Sequence, residues 1–400
     1  FHTCQLLAGE LFPDEVFTNS GLTGRQMQAK AKNMLYDWFV TFRKEGFTEW
    51  NSSPYLPIDT LGFGSLYAFA QDPAMRELGR EGMDFAYYLL AVHSQQGIFA
   101  SSSGRTYIKE QFGNWSNCPS GLSWIGYGYG VPGHAGKGIT SYCLSDYEPP
   151  KEFAQWFSIP RGKEMICQTT QGNDGYVDLY TYKTADYMMT SANDFHPGEP
   201  GHQENPFQLT FNAVAQLWVT HPGERVLFGA ARPSYWAGNG TLPKVNQYKA
   251  FAGLIYDIAP EHPVDFTHLY LPSMEFDRCE VEGKWAFVQL GSAYAAVYCS
   301  NGIRMQDFGS NKDRECIAEG RRCIWLVRAA QADEFAAFDD FKAAMRGAAL
   351  DADAEGRRYR FVDPVYGELR CQWGETLYVN DAPMQYSGFD NYGKLTMQEK

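Results

Sequence analysis

Glu49, Trp50, Asn51 and Tyr55 fall within one ten-residue stretch, "GFTEWNSSPY" (46–55), lying between two helical patterns. A helix-to-helix link needs only a few polar residues with Gly or Pro. A carboxylate, an indole, an amide and a phenol at one helix end therefore ask for a chemical reason. A second stretch, "SSSGRTYIKEQFGNWS" (101–116), follows the next helical pattern in the same way. Its Arg105 and Tyr107 lie two apart, so in an extended loop their side chains share a face. The guanidinium is a fork for a carboxylate, and a phenol beside a cation gives up its proton more readily. A third stretch, "DFHPGEPGHQENPFQ" (194–208), holds His196, Glu199, His202, Gln203 and Glu204 among turn residues just ahead of a strand pattern. The spacing of its histidines and glutamates fits no zinc signature. A fourth, "RPSYWAGNGTLPKVNQYKA" (232–250), adds Trp236, Asn239, Gln247 and Tyr248, with positive charge from Arg232, Lys244 and Lys249. Each residue alone also fits a plain role, such as a salt-bridged Arg, a core Tyr or a packed Trp in a hairpin. Only their combination suggests a site.

The elements that must position these loops fall into two halves. "SGLTGRQMQAKAKNMLYDWFVTFRKEGF" opens with a T-x-x-Q capping box at Thr23 and Gln26. Met27, Ala31, Met34, Trp38 and Phe42 then recur at helical spacing, and Gly46 ends the run. A second helix is expected over about 58–70. A third starts at Asp72-Pro73, an N-cap followed by Pro at the first helical position, and runs to about His93. Helices with aromatic-rich links on one side suggest an incomplete, toroid-like (α/α) array over residues 1–150. The chain opens at Phe1 inside "FHTCQLLAGELF", itself a helical pattern, so residues upstream of Phe1 are expected. From about 150 the period changes. "GYVDLYTYKTADYMMTSA", "FQLTFNAVAQLWVTH", "KWAFVQLGSAYAAVYC" and "RRCIWLVRAA" read as antiparallel strands, giving an α+β chain with a β-sandwich over 151–400. "EPPKEFAQWFSIPRGKE" is the expected junction. One late helix is expected in "DEFAAFDDFKAAMRG", with Phe335, Phe338, Phe341 and Met345 on one face.

Composition narrows the function classes. A net charge of −13 without any Lys/Arg run argues against nucleic acid as a partner. An acidic sugar stays open, because a local cluster of cations can reverse the field inside one cleft. The longest apolar runs fall far short of a membrane span. Aromatics at 16%, including 25 Tyr and 10 Trp, suit either a carbohydrate groove or a large β-rich core. The nine scattered cysteines form no CxxC, which points to free thiols in a reducing compartment.

"FTEWNSSPY", "GRTY" and "RPSYWAGNG…LP" resemble the toroid-plus-sheet polysaccharide lyases, the heparinase II/III-like and alginate-lyase-like proteins. The resemblance spans most of the chain and implies β-elimination on a uronic-acid polymer, with no metal or organic cofactor. Carried over, it makes Asn51 the carboxylate neutraliser, Arg105 a carboxylate binder, Tyr107 the proton donor and His202 the base. "GHQENPF" departs from the family's His followed by acidic and small residues. Glu49, Trp50, Tyr55, Gln203, Glu204, Trp236, Asn239 and Tyr248 are then expected to contact the saccharide. Two other classes compete. A glycoside hydrolase would use a carboxylate pair drawn from Glu49, Asp59, Glu110 and Glu204. A non-catalytic carbohydrate-binding protein would need only the aromatics and Arg.

Overall fold

The computed structural model describes residues 1–111, 117–132, 138–172, 176–227 and 229–400. Helix α1 (His2–Leu11) leads through a small hairpin, Val16–Phe17 with Leu22–Thr23, into α2 (Gly24–Glu45). That hairpin is a strand pair that the helical reading of this half did not contain. The capping box forms as expected. The Thr23 hydroxyl accepts the Gln26 N–H, the Gln26 side chain accepts the Thr23 N–H, and Gly46 closes the helix at φ 66°. The buried face of α2 takes in only part of the recurring apolar set. Ala31, Leu35, Phe39 and Phe42 form the interior ridge, while Met34 and Trp38 are about 40% exposed. Both stripes obey helical spacing, and apolar residues on the two flanks left the choice to tertiary packing.

Helix α3 (Leu56–Phe69) starts with Pro57 in its first turn. Helix α4 (Pro73–Val92) is capped by Asp72, whose carboxylate accepts the Ala74 N–H at 2.9 Å. Gly79 and Gly82 let these two helices pack closely: a Cβ at Gly79 would lie 2.5 Å from the Tyr67 nitrogen, and one at Gly82 2.4 Å from the Phe63 ring. Every residue from Phe85 to Val92 is buried, so α4 is the central helix of this half. At its C-terminal end the buried Lys183 ammonium donates to the Ala91 carbonyl at 3.0 Å and to that of Trp156. This satisfies an orphan helix carbonyl. Burial pulls the lysine down to about 7.

From Lys163 onward the regular elements among the described residues are strands, apart from a single helical turn at Ser273–Glu275 and the helix Phe338–Gly347. A nine-stranded antiparallel sheet runs in the order Arg304–Met305, Glu315–Glu319, Phe266–Tyr270, Gln216–Thr220, Phe207–Thr210, Met188–Asn193, Val177–Lys183, Lys163–Gln171 and Lys394–Glu399. The last strand returns the chain end beside the first strand after the junction. A six-stranded sheet follows the order Arg278–Glu282, Trp285–Leu290, Ala293–Cys299, Arg322–Gln331, Phe251–Asp257 and Lys244–Tyr248. A five-stranded sheet occupies 350–383. Of the four segments read as strand from their alternation, three form two neighbouring antiparallel strands each and the fourth forms one. The architecture is mixed α+β with several antiparallel sheets.

Two interior clusters hold this together. One joins Leu35, Phe39, Phe63 and Leu89 of the helices to Met165 and Cys167 of the strand after the junction. The larger takes Tyr182, Leu209 and Leu217 from the nine-stranded sheet and Leu254, Val297 and Leu326 from the six-stranded one. It also includes Phe338, Phe341 and Met345 of the late helix and Phe361 of the five-stranded sheet. Each fully buried side chain of this size contributes about 1.5–3 kcal/mol. None of the nine cysteines is joined in a disulfide among the described residues. No helix among the described residues is long and apolar enough to cross a membrane.

Candidate functional site

The polar stretches are joined to one another through their backbones. Between α2 and α3, Asn51 takes a left-handed conformation, φ 46°, which Asn tolerates better than most residues. The Gly104 N–H donates to the Trp50 carbonyl at 2.8 Å, and the Asn51 amide to the Ser102 carbonyl at 3.3 Å. Any larger residue at position 104 would strike the Trp50 indole, 2.8 Å from where its Cβ would be. On the other side, Ser103 and Asn205 exchange both backbone hydrogen bonds, at 2.9 and 2.7 Å. Gln203 accepts the Thr106 N–H at 3.0 Å and returns its own amide to the Thr106 carbonyl at 2.9 Å. Gly238, at φ 87°, lies so close to the His202 carbonyl that a Cβ there would come within 2.1 Å. The loops carrying Asn51, Arg105, His202 and Arg232 thus form one connected surface.

A charged cluster lies on that surface. The Arg105 Nε and Nη2 both reach Glu49 Oε1 at 2.8 Å, while its Nη1 donates to the Tyr107 hydroxyl at 3.5 Å. The same guanidinium stacks over the Tyr55 ring, 5.0 Å from its centre. Arg232 stacks over the Tyr107 ring at 5.2 Å. Burial alone would raise the Tyr107 phenol. The hydrogen bond from Arg105, the charges of Arg232 and Arg105, and a hydrogen bond with Tyr55 outweigh it and hold the phenol below its ordinary value.

Beside the cluster, Glu49, Tyr55 and Asp59 line a cavity of about 490 Å³ together with Trp38, Phe42 and Phe47. Asp59 is partly buried there, and burial, reinforced by the negative charge of Glu49, pushes it up to about 7. Asn51 does not line this cavity. It faces a much smaller pocket with Ser103, Thr106, Glu110, Gln111 and Gln208. Asn51 Oδ1, Glu110 Oε2 and Gln111 Oε1 are all buried there without hydrogen-bond partners among the described residues. Burial raises Glu110 despite the nearby Lys109. A site of this kind suits one ordered water.

Of the residues expected at a ligand, Arg105, Tyr107, Glu49 and Tyr55 come together. Several others are interior instead. Trp50 is buried against Phe195, Val177 and Leu179, where its ring supports the loop and offers no face to a sugar. Trp236 is buried in a stack on His268, with ring centres 4.1 Å apart. Asn239 is fully buried, accepting from the His221 N–H and the Tyr256 hydroxyl and donating to the Glu204 carbonyl. Gln203 is buried on Thr106, and Tyr248 packs edge-on against Tyr366 at 5.5 Å. In each case the apolar or amide part found a closer partner inside the protein. His202 is exposed and its backbone N–H donates to the Glu204 carboxylate. His196 lies 3.3 Å from Glu199 and packs on Tyr176 and Phe195. Among the described residues, no group of three or more His, Cys, Asp or Glu is placed to hold a metal.

Arg232 in the cluster and Asp59 beside it had not been singled out for the site. Asp59 was seen only as a spare carboxylate, and its cavity position depends on α3 packing. Arg232 had a readable signal. From Arg225 to Tyr256 the sequence carries four basic residues and no acidic one, in a chain whose net charge is −13. No protein-family model and no curated protein matches this chain.

Proposed function

We propose that the protein is a polysaccharide lyase that cleaves uronic-acid-containing saccharides by β-elimination. On this reading the helices are an incomplete toroid-like array and the two large sheets a β-sandwich, as in the heparinase- and alginate-lyase-like enzymes that the loops resemble. The observation that supports it best is the Tyr107 phenol, set between the Arg105 and Arg232 guanidiniums with its pKa lowered. β-Elimination removes the C5 proton of a uronate, builds negative charge on the carboxylate as an enolate, and expels O4 as the C4=C5 bond forms. Cations beside the carboxylate stabilise that charge where it develops. A phenol of lowered pKa can protonate O4 as it leaves. The base is the exposed imidazole of His202, or Tyr55 if His202 proves dispensable. Asn51, bonded to Ser102 and turned to the inner pocket, acts by shaping the loop rather than by touching the carboxylate.

A second reading has its own observation. Glu49 and Asp59 share one cavity, and a carboxyl pushed up to about 7 beside a second carboxylate suits the acid of an acid and base pair in a glycoside hydrolase. Incubation with a panel of uronate polymers separates the two. A lyase yields ultraviolet absorbance from the new C4=C5 bond, and Tyr107→Phe lowers turnover by about 10²–10⁴-fold while leaving substrate affinity in place. Reducing ends without that absorbance, lost in Asp59→Asn, make the protein a hydrolase.

A further inference from the structure

Arg105 and Arg232 both touch Tyr107, but their circumstances differ. The fork of Arg105 is closed by Glu49, with two contacts of 2.8 Å to one carboxylate oxygen. Arg232 is exposed and makes no ion pair with any described residue. The other cations of its acid-free segment are all engaged: Arg225 with Asp265 at 2.5 Å, Lys249 with Glu164 at 2.7 Å, and Lys244 with Asp194. Arg76, Arg304, Arg314 and Arg321 also lack a carboxylate partner among the described residues, but only Arg232 stacks without one on a phenol of this cluster.

The backbone that carries Arg232 is firmly held. The Gly223 N–H donates to the Ser234 carbonyl and the Ser234 N–H to that of Ala237, both at 3.0 Å. The Tyr235 hydroxyl donates to the buried Glu315 at 2.6 Å, and Trp236 is stacked on His268. Gly238 closes against the His202 backbone. That mount fixes an exposed guanidinium beside the Tyr107 phenol, where its charge holds the phenol down and is preorganised for a ligand.

We infer that Arg232 is the anchor for the carboxylate of an acidic saccharide, and that Arg105 is a positioning residue whose charge is already neutralised by Glu49. The inference takes from the proposed function only the location of the site. A planar carboxylate suits the guanidinium fork, which can grip it with two parallel hydrogen bonds. Arg105 meanwhile keeps Tyr55 and Tyr107 in place and acts on the ligand through the phenol.

The test is binding of uronate trisaccharides and their carboxyl-reduced counterparts, followed by ligand-observed NMR on the full chain. Wild type should bind at least one uronate trisaccharide and prefer it to the reduced form. Arg232→Ala and Arg232→Gln should lose that preference, weakening the acidic ligand by 10-fold or more and leaving the reduced one unchanged. Arg232→Lys should recover part of it. The Tyr107 titration should also move up in Arg232→Ala, a change that loss of a distant surface charge would not produce. Equal affinity for acidic and reduced sugars in wild type, no binding of either, or an unchanged preference in both Arg232 variants would overturn the inference. Selective binding lost in Arg232→Ala, in a protein that yields no unsaturated product, would keep the anchor and remove the lyase.

Discussion

Two groups in this molecule share nearly the same chemical vocabulary and use it in opposite ways. One is Glu49, Arg105, Tyr107, Tyr55 and Arg232 at the surface joining four loops. The other is His268, Glu315, Tyr235 and Asn311, beneath the loop that carries Arg232. In the second, His268 Nδ1 lies 2.7 Å from Glu315, Tyr235 donates to the same oxygen at 2.6 Å, and Asn311 donates to the other at 2.8 Å. The His268 and Glu315 side chains have no exposure at all. Burial would raise the Glu315 carboxyl, but His268, Tyr235 and Asn311 outweigh it and hold it below its ordinary value. This group is closed on itself. The first has two guanidiniums for one nearby carboxylate, and its members are in reach of solvent. A site is therefore distinguished by unbalanced, accessible charge, more than by the presence of His, Glu or Tyr. The buried group still matters to the open one, because Tyr235 and Trp236 fasten the Arg232 loop to it.

The strongest way to break the comparison is to open the closed group. His268→Ala removes one of three hydrogen-bond partners of the interior Glu315 carboxylate and the buried ring on which Trp236 stacks. Losing a hydrogen bond to a buried charged group costs about 1.5–3 kcal/mol and the cavity left by the ring adds to it, which chemical denaturation would read directly. Arg105→Ala, which breaks a partly exposed pair, should cost no more than about 1 kcal/mol. If the two variants lose similar stability, the division between a supporting and a working group is wrong.

How much of this division was legible in the sequence depended on range. Local signals were reliable: the Thr23–Gln26 box, the Asp72-Pro73 start and the alternating strands each form as their residues dictate. They rest on interactions within a few residues, which pattern can capture. The spacing on α2 did not fix its buried face, since Met34 and Leu35 are equally apolar and only packing against α1, Phe63 and Phe85 separates them. Trp50, Trp236 and Asn239 were read as ligand contacts because residue type reports what a side chain can do, not whether it is covered. Partners across the fold were beyond reach. Glu49 meets Arg105 from 56 positions away, and Glu315 meets His268 from 47. Arg105 with Tyr107 was visible because two residues in an extended loop suffice to bring them together.

A matched pair of substitutions sharpens the contrast at intermediate size. Tyr235→Phe and Tyr107→Phe remove the same atom from the same kind of ring. At position 235 the lost hydrogen bond ran to a buried carboxylate, so stability should fall by about 1.5–3 kcal/mol. At position 107 the hydroxyl is partly exposed, so stability should change by less than about 1 kcal/mol, with the effect falling on turnover instead. Equal losses of stability would mean that Tyr107 is as structural as Tyr235.

The last expected effect concerns Asp59, and it is a slope rather than a step. Burial, then the charge of Glu49, raises its folded-state pKa to about 7 from an ordinary 3.8. Between those values the folded protein holds a proton that the unfolded chain has released. By linkage, this group's contribution to stability is complete at low pH, declines as pH rises through that window, and levels off above about 7. Asp59→Asn removes the decline, so its stability profile from about pH 4 to 7 should be flatter than that of wild type. Glu49→Gln should move the wild-type decline to lower pH, since it deletes the second cause of the shift. Denaturant midpoints at a series of pH values would show both. Superimposed wild-type and Asp59→Asn profiles would make Asp59 an ordinary solvated acid. The cavity beside Arg105 would then lack a proton donor of its own, and the carboxylate-pair chemistry would lose the observation on which it rests.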